Sequence, residues 1–187
     1  MVELKRYTKV AIWLHWLVAL GVIVNIALAW TWDLFGDANT RPMIDTHKSV
    51  GIAVLGLALL RLLWRIGHTP PAYPASYRRW ERTASHVVHW GLYFLIFAMP
   101  LTGWIMDSAY KDAATHPMFF FGTFEWPRIG FILDLPADTK KWIHDDFGAA
   151  HELLAKFVYL LVALHLAGAI KHQLGGHQEW QRMGLGR

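Results

Sequence analysis

Residues 147–168 read FGAAHELLAKFVYLLVALHLAG, an apolar stretch of helical character that contains His151, Lys156 and His165. Its length is close to the ~20 apolar residues that a helix needs to cross a bilayer. Ionisable side chains inside such a helix are costly, so they mark either a functional site or a hydrogen-bonding partner on another helix.

The composition of the chain is that of a membrane protein. Its 187 residues are 55% hydrophobic and 17% charged, whereas soluble domains average ~25% charged residues. Four stretches approach or exceed the length of a membrane span without the polar stripe of a soluble amphipathic helix, namely residues 10–30, 47–66, 83–106 and 148–172. We therefore predict an all-α integral membrane four-helix bundle that forms a single domain over residues 1–187.

The longest connection, residues 107–147, is predicted to be an outer loop. It contains HPMFFFGTFEWPRIGF (116–131), in which Pro and Gly interrupt a dense set of aromatic residues. This composition fits an interfacial or re-entrant lid, and it fits a short surface helix equally well.

The distribution of charge predicts the orientation. Most Lys and Arg residues lie in the N-terminal segment, in the connection between the second and third spans, and in the C-terminal tail. By the positive-inside rule these segments, and with them both termini, are cytoplasmic. The net charge of +4 then follows from topology, and we expect no nucleic-acid binding. The absence of cysteine excludes disulfides, thiolate metal sites and covalent c-type haem attachment.

Histidines from different spans are predicted to meet at two depths. His15 and His165 lie near the cytoplasmic ends of the first and last spans and can form an inner level. His47 and His151 begin their spans from the other side and can form an outer level. The 14 residues from position 151 to position 165 correspond to a rise of about 21 Å and leave both histidines on nearly one face of the helix.

Facing pairs of histidines suit the two axial positions of a six-coordinate haem iron, and filling both positions favours electron transfer. Zinc and copper sites instead usually collect three or four ligands at one depth. We therefore predict one haem at each level. Gly21, Gly51 and Gly168 lie one or two turns from these histidines, where they either leave room for the macrocycle or serve ordinary helix packing.

Other ionisable residues near the inner level have roles that the sequence leaves open. His89 is an alternative to His15 as a ligand, but we favour contacts of His86 and His89 with haem propionates or a quinone. Arg61 and Arg65 are candidates for pairing with propionates, although positive-inside anchors would have the same sequence signature.

His172 and Lys156 are two further candidates. His172 follows His165 by seven residues, near the predicted headgroups. It is a candidate proton-handling group for a quinol, because a neutral imidazole can accept a proton near pH 7; the alternative is an interfacial histidine. Lys156 is too deep to reach the outer surface without a partner. We hypothesise that it neutralises an outer-haem propionate or attracts an anionic electron donor.

In their order on four spans, the motifs resemble the bacterial cytochrome b561 family of di-haem inner-membrane proteins, and especially its superoxide oxidase members. The resemblance extends from Tyr7 to Arg182 and rests on His15-Trp16, His47-x-Ser49-x-Gly51, Thr69-Pro70-Pro71, His86-x-x-His89, Pro100-x-x-Gly103 and His151-Glu152 followed by His165. It implies two haem b groups, with axial iron ligands His15 and His165 for one and His47 and His151 for the other. It also implies a cytoplasmic-side quinone site at His172.

The resemblance further implies a multi-pass protein of the bacterial inner membrane that transfers electrons across the bilayer. We expect a superoxide:ubiquinone oxidoreductase, which oxidises periplasmic superoxide to dioxygen and reduces ubiquinone to ubiquinol on the cytoplasmic side. Outer cations available to steer superoxide are Arg41, Lys48, Lys140 and Lys141, although the outer side is net acidic. Lys156 matches no position of the family pattern.

Three alternatives are consistent with the same residues. A quinol-oxidising cytochrome b561 would pass electrons to a periplasmic protein, and the acidic outer loop fits a basic partner of this kind. A non-catalytic haem-bearing membrane anchor would serve a dehydrogenase or hydrogenase. A histidine-lined metal transporter would contain no haem.

Overall fold

The computed structural model describes residues 6–74 and 76–185. The ends of the predicted domain, residues 1–5 and 186–187, lie outside the described residues, as does residue 75. Within these described ranges, four helices are long and apolar enough to cross a membrane, namely α1 (Lys9–Thr31, continued by a 3-10 helix to Phe35), α2 (Asp37–Gly67), α3 (Arg79–Ser108) and α5 (Ala137–Leu174). The prediction of an all-α membrane four-helix bundle is confirmed.

Local sequence explains where these helices begin. The Thr8 hydroxyl accepts a hydrogen bond from the Ala11 N–H (3.3 Å) and caps α1. At the start of α3, the Glu81 carboxylate accepts from the Arg78 N–H (2.8 Å), as in a capping box. Gly36 separates the 3-10 helix from α2 with φ +77°, a conformation that glycine adopts without steric cost.

All four long helices extend beyond the predicted spans, α2 and α5 the furthest. α2 begins at residue 37 rather than 47, and α5 begins at residue 137 rather than 148, so residues 137–147 of the predicted outer loop are helical. These additional turns are polar, and they contain ion pairs one turn apart, Arg41 with Asp45 and Lys141 with Asp145. Hydropathy detects only the part of a helix that lies in lipid. These polar turns continue the helices beyond the lipid, so the hydropathy pattern does not reveal them.

The bundle consists of two closely packed helix pairs, α1 with α2 and α3 with α5, which meet mainly through α2 and α3. Glycines permit the close approach within each pair. A Cβ atom at Gly21 would lie 2.5 Å from the side chain of Val54, and one at Gly91 would lie 2.6 Å from Leu161. Gly21 therefore serves helix packing, which was the alternative to its predicted role in making room for a macrocycle.

Apolar side chains face outward along all four long helices. Examples with more than half of their surface exposed are Leu20, Ile23, Leu63, Phe94 and Leu160. Few side chains in the apolar windows of α1 and α5 are buried. This is the pattern expected where lipid, rather than a protein core, surrounds the helices.

The outer loop folds onto the bundle as a short hairpin and a short helix. Strands β1 (Phe119–Phe120) and β2 (Phe124–Glu125) pair antiparallel, and helix α4 (Gly130–Leu133) follows. The buried hydroxyl of Ser49 on α2 accepts from the Phe121 N–H (3.0 Å) and donates to the Asp45 carbonyl (2.9 Å). The hairpin is thereby attached to the outer part of α2.

A buried group of three charges also holds the outer loop. Asp107, at the end of α3, accepts from Lys48 Nζ (2.6 Å) and from Arg128 Nε (2.9 Å). The side chains of Asp107 and Arg128 are 7% and 6% exposed. A single carboxylate therefore ties together α2, α3 and the segment that leads into α4.

At the opposite end, the α2–α3 connection and the C-terminal segment form a terminal cap, which we define as residues 68–74, 76–78 and 175–185. It includes the short helix α6 (Glu179–Arg182), and it lies at the end of the bundle near the start of α1. The Trp16 indole N–H on α1 donates to the Met183 carbonyl (3.0 Å). Both ends of the bundle are thus covered by folded connections.

The charge group at Asp107 predicts a stability effect. Replacing Asp107 by Asn leaves the cations of Lys48 and Arg128 together with little solvent, and we expect a loss of about 3–5 kcal/mol. The measurement is the midpoint of chemical unfolding in detergent micelles. Asp145→Asn is the matched control, because its partner Lys141 is exposed and exposed ion pairs contribute little. Equal midpoints for the two variants would contradict a stabilising role of Asp107.

Candidate functional site

The outer level is formed by His47 on α2 and His151 on α5. Their ring centroids are 6.2 Å apart, and the ring planes are inclined by 71°. The Trp32 ring lies edge-on to His47 at 5.7 Å. The structure therefore brings together the two histidines that were predicted to meet at this depth.

Hydrogen bonds orient both imidazoles of the outer level through Nδ1. His47 Nδ1 donates to the Asn25 carbonyl (3.2 Å), which can only accept. The Thr102 hydroxyl donates to the Ala98 carbonyl (2.8 Å), so its oxygen accepts from His151 Nδ1 (3.0 Å). Each Nδ1 carries the proton in this assignment, and each Nε2 retains the lone pair that a metal ion would need.

Asn25 and Gly103 shape the surroundings of this pair. With its amide in the orientation that satisfies both neighbours, Asn25 donates to the His47 carbonyl (3.1 Å) and accepts from the Gly51 N–H (3.2 Å). It thereby connects α1 to one turn of α2 at the level of His47. A Cβ atom at Gly103 would lie 3.4 Å from His151 Cε1, so glycine leaves space for this ring.

The inner level is formed by His15 on α1 and His165 on α5, with ring centroids 6.0 Å apart and an interplanar angle of 67°. Here the Nδ1 partner is a cation, because Arg61 Nη1 donates to His15 Nδ1 at 2.7 Å. Arg61 Nε also donates to the Tyr93 hydroxyl (3.0 Å). The predicted inner pair is also brought together, but with a different hydrogen-bonding partner from that of the outer pair.

His89 lies beside the inner level and His86 lies farther toward the terminal cap. The His89 ring centroid is 5.2 Å from that of His165, and its Nδ1 is 3.1 Å from the Ser85 hydroxyl. His86 is exposed and its ring is 5.3 Å from that of Tyr73 in the terminal cap. The two histidines thus have different surroundings, although the sequence grouped them.

The separation within each pair matches the space that a metal ion between two imidazoles requires. Metal–imidazole bonds are about 2 Å long, so two of them account for about 4 Å. The observed centroid separations are 6.0 and 6.2 Å. Once the two metal–nitrogen bonds are subtracted, about 1 Å remains on each side, which is close to the distance from the centre of an imidazole ring to its nitrogen. The 5.2 Å between His89 and His165 leaves less room. Within the part of the chain that the structure describes, we find no cluster of three or more His, Asp or Glu side chains suited to a metal ion.

Three other predicted site residues lie at different distances from the histidine pairs. The Arg65 guanidinium lies 5.5 Å from the centroid of the Tyr93 ring, which Arg61 also contacts, so the two arginines are neighbours of the inner level. The His172 ring stacks on Tyr77 of the terminal cap, with centroids 4.0 Å apart. Lys156 is exposed on α5, so the structure does not bring it into the bundle interior with His151.

The outer cations that the sequence offered for steering superoxide are engaged in other interactions. Arg41 pairs with Asp45, Lys48 with Asp107, and Lys141 with Asp145. Lys140 Nζ donates to the Leu133 carbonyl (3.3 Å). Most of this positive charge is therefore neutralised locally by carboxylates.

The sequence of this chain matches the family model described as prokaryotic cytochrome b561 over residues 6–186. The chain belongs to the prokaryotic cytochrome b561 family. It is 31% identical over 185 residues to "Cytochrome b561 homolog 2" of Escherichia coli (strain K12), which covers 98% of this chain and 93% of the relative. It is 31% identical over 173 residues to "Probable superoxide oxidase CybB" of Yersinia pestis, covering 90% and 89%. "Cytochrome b561 homolog 1" of E. coli is 27% identical over 171 residues, covering 90% of each chain.

Family membership makes this cytochrome b561 a bacterial membrane protein of electron transfer, and it implies a b-type haem. The outer pair fits such a group in both spacing and tautomer. The inner pair fits it in spacing, and Arg61 would have to leave His15 Nδ1 before Nε2 of that ring could bind a metal ion. Imidazole nitrogens are haem-iron ligands, the rings of each pair lie 6.0 or 6.2 Å apart, and the outer pair has the Nδ1 hydrogen bonds that commonly support metal-ligating histidines.

Sequence reasoning missed Asn25, Thr102 and Tyr93. Asn25 had a detectable signal, since an amide inside an apolar span needs a partner. Thr102 lies within the motif Pro100-x-x-Gly103, but its hydroxyl acquires a role only when α5 brings His151 to it. Tyr93 had no distinguishing signal, because its sequence position is like that of the other aromatic residues of the spans.

The hydrogen bond from His151 to Thr102 predicts an effect on haem binding at the outer level. We expect Thr102→Val to weaken haem binding there about 10- to 100-fold, because an unsupported imidazole loses its orientation. The readout is the haem content per purified chain. Thr83→Val provides the control, since this exposed threonine on α3 bonds only the preceding helical turn through its hydroxyl. If both variants retain the haem content of the parent, the orienting role is wrong.

Proposed function

We propose that this cytochrome b561 passes electrons across the bacterial inner membrane, with both termini cytoplasmic, from periplasmic superoxide to ubiquinone on the cytoplasmic side. The observation that carries the proposal is the facing pair of histidines at each of two levels, with one member of each pair on α5. His47 with His151 would hold an outer haem b, and His15 with His165 an inner haem b. A haem with imidazoles at both axial positions supplies one-electron transfer.

Geometry supports His15 rather than His89 as the partner of His165. The 6.0 Å separation of His15 from His165 suits an ion between the rings, whereas 5.2 Å for His89 does not. The Ser85 hydroxyl is also a hydrogen-bond partner of His89 Nδ1. We therefore assign His89 to contacts around the inner haem or the quinone, and His86, next to the terminal cap, to the quinone side of the same region.

Charge supports the assignment of the inner cations. Arg61 and Arg65 lie side by side at the Tyr93 ring and are candidates for pairing with propionates. Lys156 is exposed on α5, which favours attraction of an anionic electron donor over pairing with a propionate. Burial of neighbouring apolar surface would exclude water from the path between the two levels.

The proposed reaction balances as follows. Two superoxide anions each lose one electron and leave as dioxygen. One ubiquinone accepts the two electrons and two protons from the cytoplasmic side and leaves as ubiquinol. His172 would exchange a proton with a quinone oxygen, since imidazole gains and loses protons near neutral pH. The relative named "Probable superoxide oxidase CybB" supports superoxide as the donor.

The first test is the visible spectrum of the purified protein, oxidised and reduced, with haem per chain measured as the pyridine adduct. We expect two low-spin b haems per chain, because each level offers two imidazoles. Superoxide from an enzymatic generator, which forms it from dissolved dioxygen, should then reduce them, and added ubiquinone should reoxidise them with one ubiquinol formed per two superoxide anions. A colourless protein, or haems that superoxide leaves oxidised, would overturn the proposal.

A second candidate is electron flow in the opposite direction, from ubiquinol to a basic periplasmic protein. It is favoured by the carboxylates that neutralise Arg41, Lys48 and Lys141, because an outer surface whose cations are mostly paired with carboxylates attracts superoxide weakly. The alternative predicts that a basic soluble cytochrome c oxidises the quinol-reduced protein. The rate should fall steeply as the salt concentration rises from about 10 to about 200 mM, because salt screens the attraction between the two proteins. A salt-independent or absent reaction would rule it out.

A further inference from the structure

The terminal cap has a buried arginine at its centre. Arg182 is 4% exposed. Its guanidinium donates to the Glu179 carboxylate (3.0 Å) and to the carbonyls of Pro71 (3.3 Å) and Ala72 (2.9 Å). The Arg182 carbonyl in turn accepts from the Tyr7 N–H (3.3 Å). One residue thereby joins the α2–α3 connection, the C-terminal segment and the chain that precedes α1.

Tyr77 connects this arginine group to His172. Its hydroxyl donates to Glu179 Oε1 at 2.6 Å, the oxygen that Arg182 also contacts. Burial and the neighbouring Glu179 carboxylate raise the pKa of Tyr77 above its ordinary value, so the hydroxyl remains a donor near neutral pH. The Tyr77 ring stacks on the His172 ring at 4.0 Å and 12°, and His177 lies edge-on to both.

Stacking defines the plane of the His172 ring and leaves its edge accessible. The contact with Tyr77 covers a ring face, whereas both nitrogens lie on the edge. Among the described residues, neither ring nitrogen of His172 has a hydrogen-bond partner. His177 Nδ1 donates to the His172 carbonyl (3.2 Å), and its Nε2 lies 3.0 Å from the Ser76 hydroxyl. Proton transfer requires a nitrogen within hydrogen-bond distance of the reacting oxygen, so the plane of this ring decides which direction it can serve.

We propose that Arg182 is a positioning residue for quinone chemistry, acting through Glu179 and Tyr77 on the ring of His172. The inference rests on the proposed function, in which His172 exchanges a proton with a quinone oxygen. Arginine suits this position because its planar guanidinium donates to three separate acceptors. The ammonium group of a lysine could not reach all three in the same geometry. The C-terminal segment therefore belongs to the quinone site although it lies outside the four spans.

The groups that act on the charge of His172 come from three elements. They are Glu81 on α3, Lys171 on α5, and His177 and Glu179 in the terminal cap, where the Tyr77 ring also stacks on His172. Glu81 and Lys171 form their own ion pair at 2.6 Å, which does not involve Arg182. Changing Arg182 therefore alters only the contribution of the terminal cap, and the pH profile of the quinone reaction reports on that change.

The test compares Arg182→Gln with Arg79→Gln in the haem-loaded, full-length protein. Arg79 is an exposed arginine at the start of α3, so its variant removes one charge from the same end of the bundle. We expect Arg182→Gln to lower kcat for ubiquinone reduction about 10- to 100-fold, the cost of a displaced catalytic group, with little change in KM and with a shifted pH profile. Haem reduction by superoxide, measured without quinone, should be unchanged in both variants.

Tyr77→Phe distinguishes positioning from simple loss of structure. It keeps the ring that stacks on His172 but removes the hydroxyl that donates to Glu179. If Arg182 acts through Tyr77, the double variant loses no more kcat than Arg182→Gln alone. Additive losses, an unchanged kcat and pH profile in Arg182→Gln, or a parallel loss of haem content and quinone activity would each overturn the proposal.

The parent protein separates failure of this inference from failure of the proposed function. If the parent itself does not reduce ubiquinone with electrons from superoxide, the proposed function fails and this inference fails with it. If the parent does so and His172→Gln also retains the full rate, the proposed function survives without His172, and the positioning role of Arg182 is overturned.

Discussion

Imidazoles that face each other inside a lipid-exposed bundle are the constraint on which the rest of this structure depends. Each of the four histidines would be costly in lipid by itself, and each instead lies toward a partner on another helix. Because α5 contributes His151 and His165 on nearly one face, α1 and α2, which carry their partners His15 and His47, must lie toward that face. The glycine contacts at Gly21 and Gly91 then bring the helices of each pair close together, while the histidines meet where the two pairs face each other.

The two levels are similar in spacing but different in electrostatics. At the outer level a carbonyl and a hydroxyl accept from the histidines, which increases the electron density of each imidazole. At the inner level a guanidinium donates to His15, and a second arginine, Arg65, lies close by. The inner pair therefore lies in a more positive environment than the outer pair.

A buried arginine holds the folded connection at each end of the bundle. Arg128 pairs with Asp107 at one end, and Arg182 pairs with Glu179 at the other. Both also donate to backbone carbonyls, to Ala113 and to the α2–α3 connection respectively. In both connections a guanidinium satisfies several acceptors at once, alongside the buried apolar side chains of Met118, Ile132 and Tyr77.

The sequence by itself determined the number of long helices, the membrane environment and the pairing of His15 with His165 and of His47 with His151 by depth. These properties depend on hydropathy and on the regular rise of a helix, which are local and can be counted along the chain. Only the tertiary structure decided that Gly21 packs on Val54, that the polar turns before residues 47 and 148 are helical, and that Arg61 bonds His15. It also decided that Thr102 bonds His151 and that Tyr77 stacks on His172. Such contacts depend on helix rotation and loop conformation, which arise from packing between residues far apart in the chain and leave no periodic signal in the sequence.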